Sequence, residues 1–279
     1  MATTAAQPKG TSATATKGRF VWHELMTTDP DAAQAFYKKV IGWKTSQMQG
    51  GQMRYDFWQT GDTPDTMVGG LMAMQPGALA MKAPPSWTAY IEVPDADATV
   101  KQATKLGAKV LVEPKTVEQA GRFAVLQDPQ GAVFAVITSE TAPAPETDPK
   151  PLEFSWHELG TSDPAAAIKF YEQLFGWVKQ SEFDMGKMGV YHMFGRDRFT
   201  YGGIMRKPPE APATYWLHYV LVPDSADAAV ERAKKAGGKL MLGPMDVPGG
   251  DRVAILSDPQ GAMFAVHSKT SGGADASLK

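Results

Sequence analysis

The chain has 279 residues, a formal net charge of -2, an apolar fraction of 43% and no cysteine. That length accommodates one or two cores of ordinary domain size, and a near-neutral balance without a basic block argues against nucleic acid or an anionic membrane as partner. The lack of cysteine removes disulfides, zinc-thiolate sites and thiol nucleophiles, which suits a reducing, cytoplasmic setting, and no apolar run reaches the roughly 18 residues of a membrane span.

Residues 1–19, rich in Ala and Thr and lacking an acid, read as a disordered tail without the apolar core of a secretory signal. Phe20 to Met26 then reads as a strand. Asp29-Pro30 supplies an N-cap followed by proline at the first helical position. Ala33, Phe36, Tyr37, Val40 and Ile41 share one helical face, and Gly42 stands where a left-handed C-cap is wanted. Strand candidates follow near 44–48, 53–59 and 66–74. The pattern then restarts. Trp87 to Val93 alternates as a strand, Asp95 caps a helix with Val100, Ala103 and Leu106 on its apolar face, and Gly107 ends it. Strands near 109–113, 122–127 and 132–138 complete a second β-α-β-β-β unit, and 139–152, rich in Pro, Glu and Thr, reads as a linker.

The whole arrangement returns in the second half. FVWHELMTTDPDAAQAFYKKVIGW, Phe20 to Trp43, recurs as FSWHELGTSDPAAAIKFYEQLFGW, Phe154 to Trp177, with 14 of 24 residues unchanged. Trp216, Tyr219 and Asp224 answer Trp87, Tyr90 and Asp95; Arg252, Asp258 and Gly261 answer Arg122, Asp128 and Gly131. DPQGAVFAV from Asp128 and DPQGAMFAV from Asp258 read as a turn entering a buried final strand. The expected organisation is a tail over 1–19, domains over 20–138 and 153–268 joined by 139–152, and a second disordered tail over 269–279.

These motifs resemble the vicinal oxygen chelate superfamily, which includes glyoxalase I, bleomycin-resistance proteins and extradiol dioxygenases. The W-H-E-L, G-G-[LI]-M and D-P-Q-G-A stretches are similar to those of tandem-domain bacterial glyoxalase-like proteins. The resemblance implies an α+β fold with two tandem glyoxalase-like domains, each built from two βαβββ modules curling into a cup, four modules in all. It also implies, for metal-dependent relatives, a divalent ion held in the cup by His or Glu at set places. Counting from the helix-capping Asp places first-strand ligands at Trp22, Thr88, Trp156 and Leu217, and last-strand ligands fall on Ala135 and Ala265. Residues 66–74 and 199–206 contain no His, Glu or Asp. A divalent ion needs several converging N or O donors, so no metal and no cofactor is expected in the cups.

Only two of the five histidines, His23 and His157, are shared between the copies; His192, His218 and His267 fall opposite Asp56, Ala89 and Ile137. Strand alternation groups Val21, His23 and Leu25 on one side, facing the helix or a domain interface, and Trp22, Glu24 and Met26 on the other, inside the cup. His23 therefore reads as structural, with His23 and His157 as the alternative metal ligands. Glu24 and Glu158 are the candidate catalytic acid or base, since a carboxylate among aromatics has a raised pKa; tethering to Arg122 and Arg252 is the structural alternative. Trp22, Trp156, Tyr90, Tyr219, Thr88, Arg122 and Arg252 are the candidate ligand contacts, with the tryptophans placed to stack on a flat or apolar molecule. Gly69-Gly70 and Gly202-Gly203 permit close backbone approach or mark a bulge. Trp43, Trp177, Phe36 and Phe170 read as core. No Ser-His-Asp order, Walker loop, dinucleotide fingerprint or H-E-x-x-H motif appears.

The function these features imply is a metal-independent, glyoxalase/bleomycin-resistance-like protein that sequesters or transforms a small organic ligand. A divalent-metal-dependent lyase or dioxygenase, and a non-catalytic interaction protein or antigen, are the alternatives. The expected partner is a small molecule, with neither nucleic acid nor membrane, and the two domains are expected to form an intramolecular pseudo-dimer in a monomeric chain.

Overall fold

A computed structural model describes residues 17–49, 53–80 and 82–269; the remainder of both expected tails lies outside the described residues. The first module runs β1 (Phe20–Thr27), α1 (Pro30–Val40), β2 (Lys44–Gln47), β3 (Asp56–Gln59) and β4 (Met67–Ala73). A five-residue helix that the sequence pattern does not announce, α2 (Pro76–Ala80), leads to the second: β5 (Ser86–Glu92), α3 (Ala96–Lys105), β6 (Lys109–Val117), β7 (Gly121–Gln127) and β8 (Val133–Ser139). The third is β9 (Phe154–Thr161), α4 (Pro164–Phe175), β10 (Val178–Asp184), β11 (Val190–Arg196) and β12 (Phe199–Arg206). The fourth is β13 (Tyr215–Leu221), α5 (Ala226–Lys235), β14 (Lys239–Asp246), β15 (Arg252–Ser257) and β16 (Met263–Ser268).

The sequence signals act where they stand. Asp29 and Asp163 accept hydrogen bonds from the amides of Ala32 and Ala166, at 3.0 and 3.1 Å, and proline follows each cap. Gly176 ends α4 at φ +77°, a left-handed conformation that a side chain would resist. One cap moves: Ser225, not Asp224, caps α5, and Asp224 instead forms an ion pair with Arg232.

Two eight-stranded sheets result, ordered β2-β3-β4-β1-β5-β8-β7-β6 and β10-β11-β12-β9-β13-β16-β15-β14. Within each, two modules meet where the first strands pair antiparallel, placing Glu24 opposite Thr88 and Glu158 opposite Leu217. This is the tandem arrangement of paired βαβββ modules that the sequence implies.

The cores cross between the halves. Leu25, Tyr37 and Trp43 of the first module, with Trp87 at the start of the second, are buried with Ala229, Val230, Leu256 and Phe264 of the fourth; Val100 and Phe134 of the second are buried with Tyr171 and Trp177 of the third. The helix-bearing faces of the two sheets therefore close on one another, and burial of this aromatic surface drives the docking. Polar clasps fix the register. Tyr37 donates to Asp258 at 3.2 Å and Tyr171 to Asp128 at 2.9 Å, so each D-P-x-G aspartate holds its own turn amides and a tyrosine of the other half. The linker is also tied in, since the Trp43 indole donates to the Leu152 carbonyl at 2.8 Å. At the start of the described chain, Gly18 donates to Glu92 and accepts from Trp177, so residues 18 and 19 extend the fold rather than the tail.

Candidate functional site

The faces turned away from the domain interface form the two cups. Together they amount to about 2760 Å³ of concave space, lined largely by aromatic, methionine and aliphatic side chains. Alternation along β1 puts Trp22, Glu24 and Met26 in the first cup, as expected. Val21 departs from that alternation: the β1-β5 register shifts between Phe20 and Trp22, and this bulge turns Val21 into the cup beside Trp22.

At the centre of the first cup, Tyr55 donates to Glu24 Oε2 at 2.9 Å and Tyr90 to Glu24 Oε1 at 3.0 Å. The Trp22 indole donates in turn to the Tyr55 hydroxyl at 3.0 Å. The second cup repeats this. Tyr191 and Tyr219 donate to Glu158 Oε2 at 3.1 and 3.2 Å, and the Trp156 indole donates to Tyr191 at 2.8 Å. Burial raises the pKa of both carboxyls above the ordinary range, and the tyrosine hydrogen bonds oppose that rise. Burial beside the carboxylates also drives all four phenols well above theirs, so they remain donors. The arrangement is a desolvated carboxylate with fixed donors, competent to anchor a ligand hydroxyl or take its proton.

Tyr55 and Tyr191 are the residues of the candidate site that sequence reasoning missed. A signal was present in the Gly-Gly pairs. A Cβ on Gly70 would lie 1.9 Å from the Tyr55 hydroxyl, and one on Gly203 would lie 2.0 Å from the Tyr191 ring. These glycines clear the floor of the cup for a tyrosine, Tyr55 just ahead of β3 or Tyr191 on β11. Their partners, Gly69 and Gly202, lie against the carbonyls of His23 and His157.

The remaining candidates divide. Thr88 lines the first cup with Trp22 and Tyr90, and Trp156 and Tyr219 line the second. Arg122 and Arg252 do not reach the carboxylates. Arg122 pairs with Asp97, and Arg252 with Asp227 and Asp246. On β7 the cup is faced by Phe123 and Val125, so alternation turns Arg122 toward α3. His23 and His157 point away from the cups into the domain interface, where His218 joins them.

Sequence reasoning found no Ser-His-Asp order, yet the fold assembles such a relay in the second cup. Ser155 Oγ lies 3.0 Å from His267 Nδ1, and His267 Nε2 lies 2.7 Å from Asp251 Oδ2. These residues are separated by up to 112 positions, which no short motif could show.

Two eight-stranded cups of paired βαβββ modules, each with a polar centre on its concave face, define a protein of the vicinal oxygen chelate class. Residues 22–137 match the family described as "Glyoxalase-like domain" and residues 154–266 the "Glyoxalase/Bleomycin resistance protein/Dioxygenase superfamily"; the chain belongs to that superfamily as a two-domain tandem member. It is 32% identical over 247 residues to the candidate glyoxylase CFP32 of Mycobacterium bovis, covering 88% of this chain and 92% of that protein. It is 30% identical over 272 residues to the anthracycline biosynthesis protein DnrV of Streptomyces peucetius, covering 89% and 92%. Its fold is similar to a Mn(II)-bound glyoxalase from Novosphingobium aromaticivorans, with TM-score 0.61, 17% identity and coverage of 91% and 82%. It is also similar to the dioxygenase LapB from Pseudomonas sp. KL28, with TM-score 0.63, 14% identity and coverage of 93% and 94%.

The metal that this superfamily implies does not fit the cups. Trp22, Thr88 and Ala135, with Trp156, Leu217 and Ala265, fill the places where the resemblance puts ligands, and each cup centre offers one carboxylate already bonded to two phenols. Divalent ions need more converging donors than that.

Proposed function

We propose that the protein is a small-molecule-binding member of its superfamily whose cups work without a metal ion. Each cup holds a flat, largely apolar organic molecule against Trp22 or Trp156. Glu24 or Glu158 accepts a hydrogen bond, and then the proton, from a phenolic or enolic hydroxyl of that ligand. One observation carries the reading: the same buried Glu-Tyr-Tyr-Trp network stands in both cups. A carboxylate kept from water but supplied with two donors stays basic without becoming a permanent acid. The likeness to DnrV supports a polycyclic aromatic ligand, since anthracyclines are hydroxylated fused-ring compounds.

A panel of hydroxylated anthraquinones and naphthoquinones tests this directly. Binding should quench tryptophan fluorescence and shift the probe absorbance to the red as its phenol loses a proton. Glu24→Gln with Glu158→Gln should keep the quenching and lose the red shift, while Trp22→Phe with Trp156→Phe should weaken both. If no member of the panel quenches the fluorescence, the flat-aromatic reading fails; a red shift that survives both Gln substitutions removes the glutamates from the proton step.

A further inference from the structure

Behind the cups, the fold gathers a cluster that the proposed chemistry does not use. His23, His157 and His218 are 5%, 5% and 1% exposed, and one ring nitrogen of each lies within 4.8 Å of the other two. His23 belongs to the first sheet and the other two to the second, so the cluster spans the domain interface. Phe154 stacks on His23 and Phe20 on His157, each with ring centroids 3.7 Å apart, and His218 meets both histidines edge-on. The cluster breaks the internal symmetry: His218 stands opposite His157, whereas Ala89 stands opposite His23.

Its hydrogen bonding does not close. Nδ1 of His157 and Nδ1 of His218 are 3.1 Å apart, so a single proton serves the pair. Nε2 of His23 and Nε2 of His218 are buried with no partner. Whichever tautomer His218 adopts, its Nε2 is left as an unpaired donor or an unpaired acceptor. Desolvation holds all three rings in the neutral form, which is the form that ligates a metal. Zinc-nitrogen distances of about 2.0–2.1 Å set ligand nitrogens roughly 3.4 Å apart. The His157–His218 pair is already near that spacing, and the His23 nitrogen, within 4.8 Å of both, would close on them as the ion binds. No carboxylate joins this group among the described residues, and an all-imidazole set suits zinc, cobalt or copper rather than magnesium, calcium or manganese.

We infer that His23, His157 and His218 form a buried structural site for one zinc-class ion that pins the first domain to the second. The site is separate from the cups, because His23 and Glu24 project from opposite faces of β1. With every ring buried, the ion enters as the domains dock and leaves only when they part.

The test uses the full chain expressed in zinc- or cobalt-supplemented medium and desalted, with metal content and visible absorption measured. One ion per chain is expected, with the strong visible bands of low-coordinate cobalt. His218→Ala installs the residue that the other domain carries at Ala89; it should retain the parent far-UV circular dichroism and lose the ion, whereas His267→Ile in the cup should keep it. A parent chain without stoichiometric metal, or a folded His218→Ala that holds as much as the parent, overturns the site. Should His218→Ala fail to fold, X-ray absorption of the cobalt protein decides: three imidazole ligands support the inference, and an oxygen-dominated shell overturns it.

Discussion

In the first cup, Val21, Ile137 and Gly121 occupy the places that Ser155, His267 and Asp251 take in the second, so the first has an apolar wall where the second has a hydrogen-bonded relay. The first cup instead carries Lys115, 5.0 Å from the Phe123 ring centroid, where the second has Met245. The carboxylates differ as well. Glu24 has one tyrosine on each oxygen, whereas both tyrosines of the second cup reach Oε2 of Glu158, and Oε1 receives no hydrogen bond among the described residues. Duplication preserved the centre and changed the wall. The centre is a closed network in which each group satisfies another, so single changes there leave a buried group unpaired; the wall tolerates exchange of apolar for polar side chains, and there ligand selectivity can diverge.

The shared centre can be broken most severely through its glycines. Gly202→Ala places a Cβ 1.7 Å from the His157 carbonyl oxygen, and Gly69→Ala places one 2.3 Å from that of His23. Each should destabilise the chain by about 3 kcal/mol through forced overpacking, the second cup suffering more, as urea unfolding would record. A smaller loss is expected from the phenols. Tyr55→Phe and Tyr191→Phe each remove a hydrogen bond to a buried carboxylate, about 1.5–3 kcal/mol, and should raise the pKa of the corresponding glutamate further, since that bond favours its charged form.

The pH dependence follows from the same groups. A carboxyl whose folded pKa lies above its unfolded value of about 4.3 binds its proton more tightly when folded. Its contribution therefore favours folding at low pH and is lost as pH rises from that value through the raised one. Glu24→Gln and Glu158→Gln should each flatten this part of the stability profile, measured by urea unfolding across pH. Least disruptive is to make the walls alike. Ser155→Val with His267→Ile copies two of those three first-cup residues into the second and should change stability by no more than about 1 kcal/mol, while lowering second-cup affinity for hydroxylated probes relative to their methyl ethers. An unchanged preference would show that the relay does not face the ligand.

Much of this was legible beforehand because it is local. The D-P caps, the helical faces and the inward Trp22 and Glu24 each depend on residues within a few positions of one another, where hydrogen-bond and side-chain periodicity act. Reading failed where a single irregularity intervened: the bulge at Val21 reverses an alternation that holds for the rest of β1, and an extra residue before α5 moves the cap from Asp224 to Ser225. Arg122 and Arg252 were misplaced for a related reason, since being repeated in both halves marks a residue as retained without saying which face of its strand it takes.

By itself the sequence determined the duplication, the four modules and the superfamily, because repeats, caps and residue chemistry are written along the chain. The tertiary structure alone decided that Tyr55 and Tyr191 grip the glutamates, that His218 meets His23, and that Tyr37 bonds to Asp258 across 221 positions. Those partnerships arise from how two curved sheets close on one another, and sequence separation holds no record of that closure.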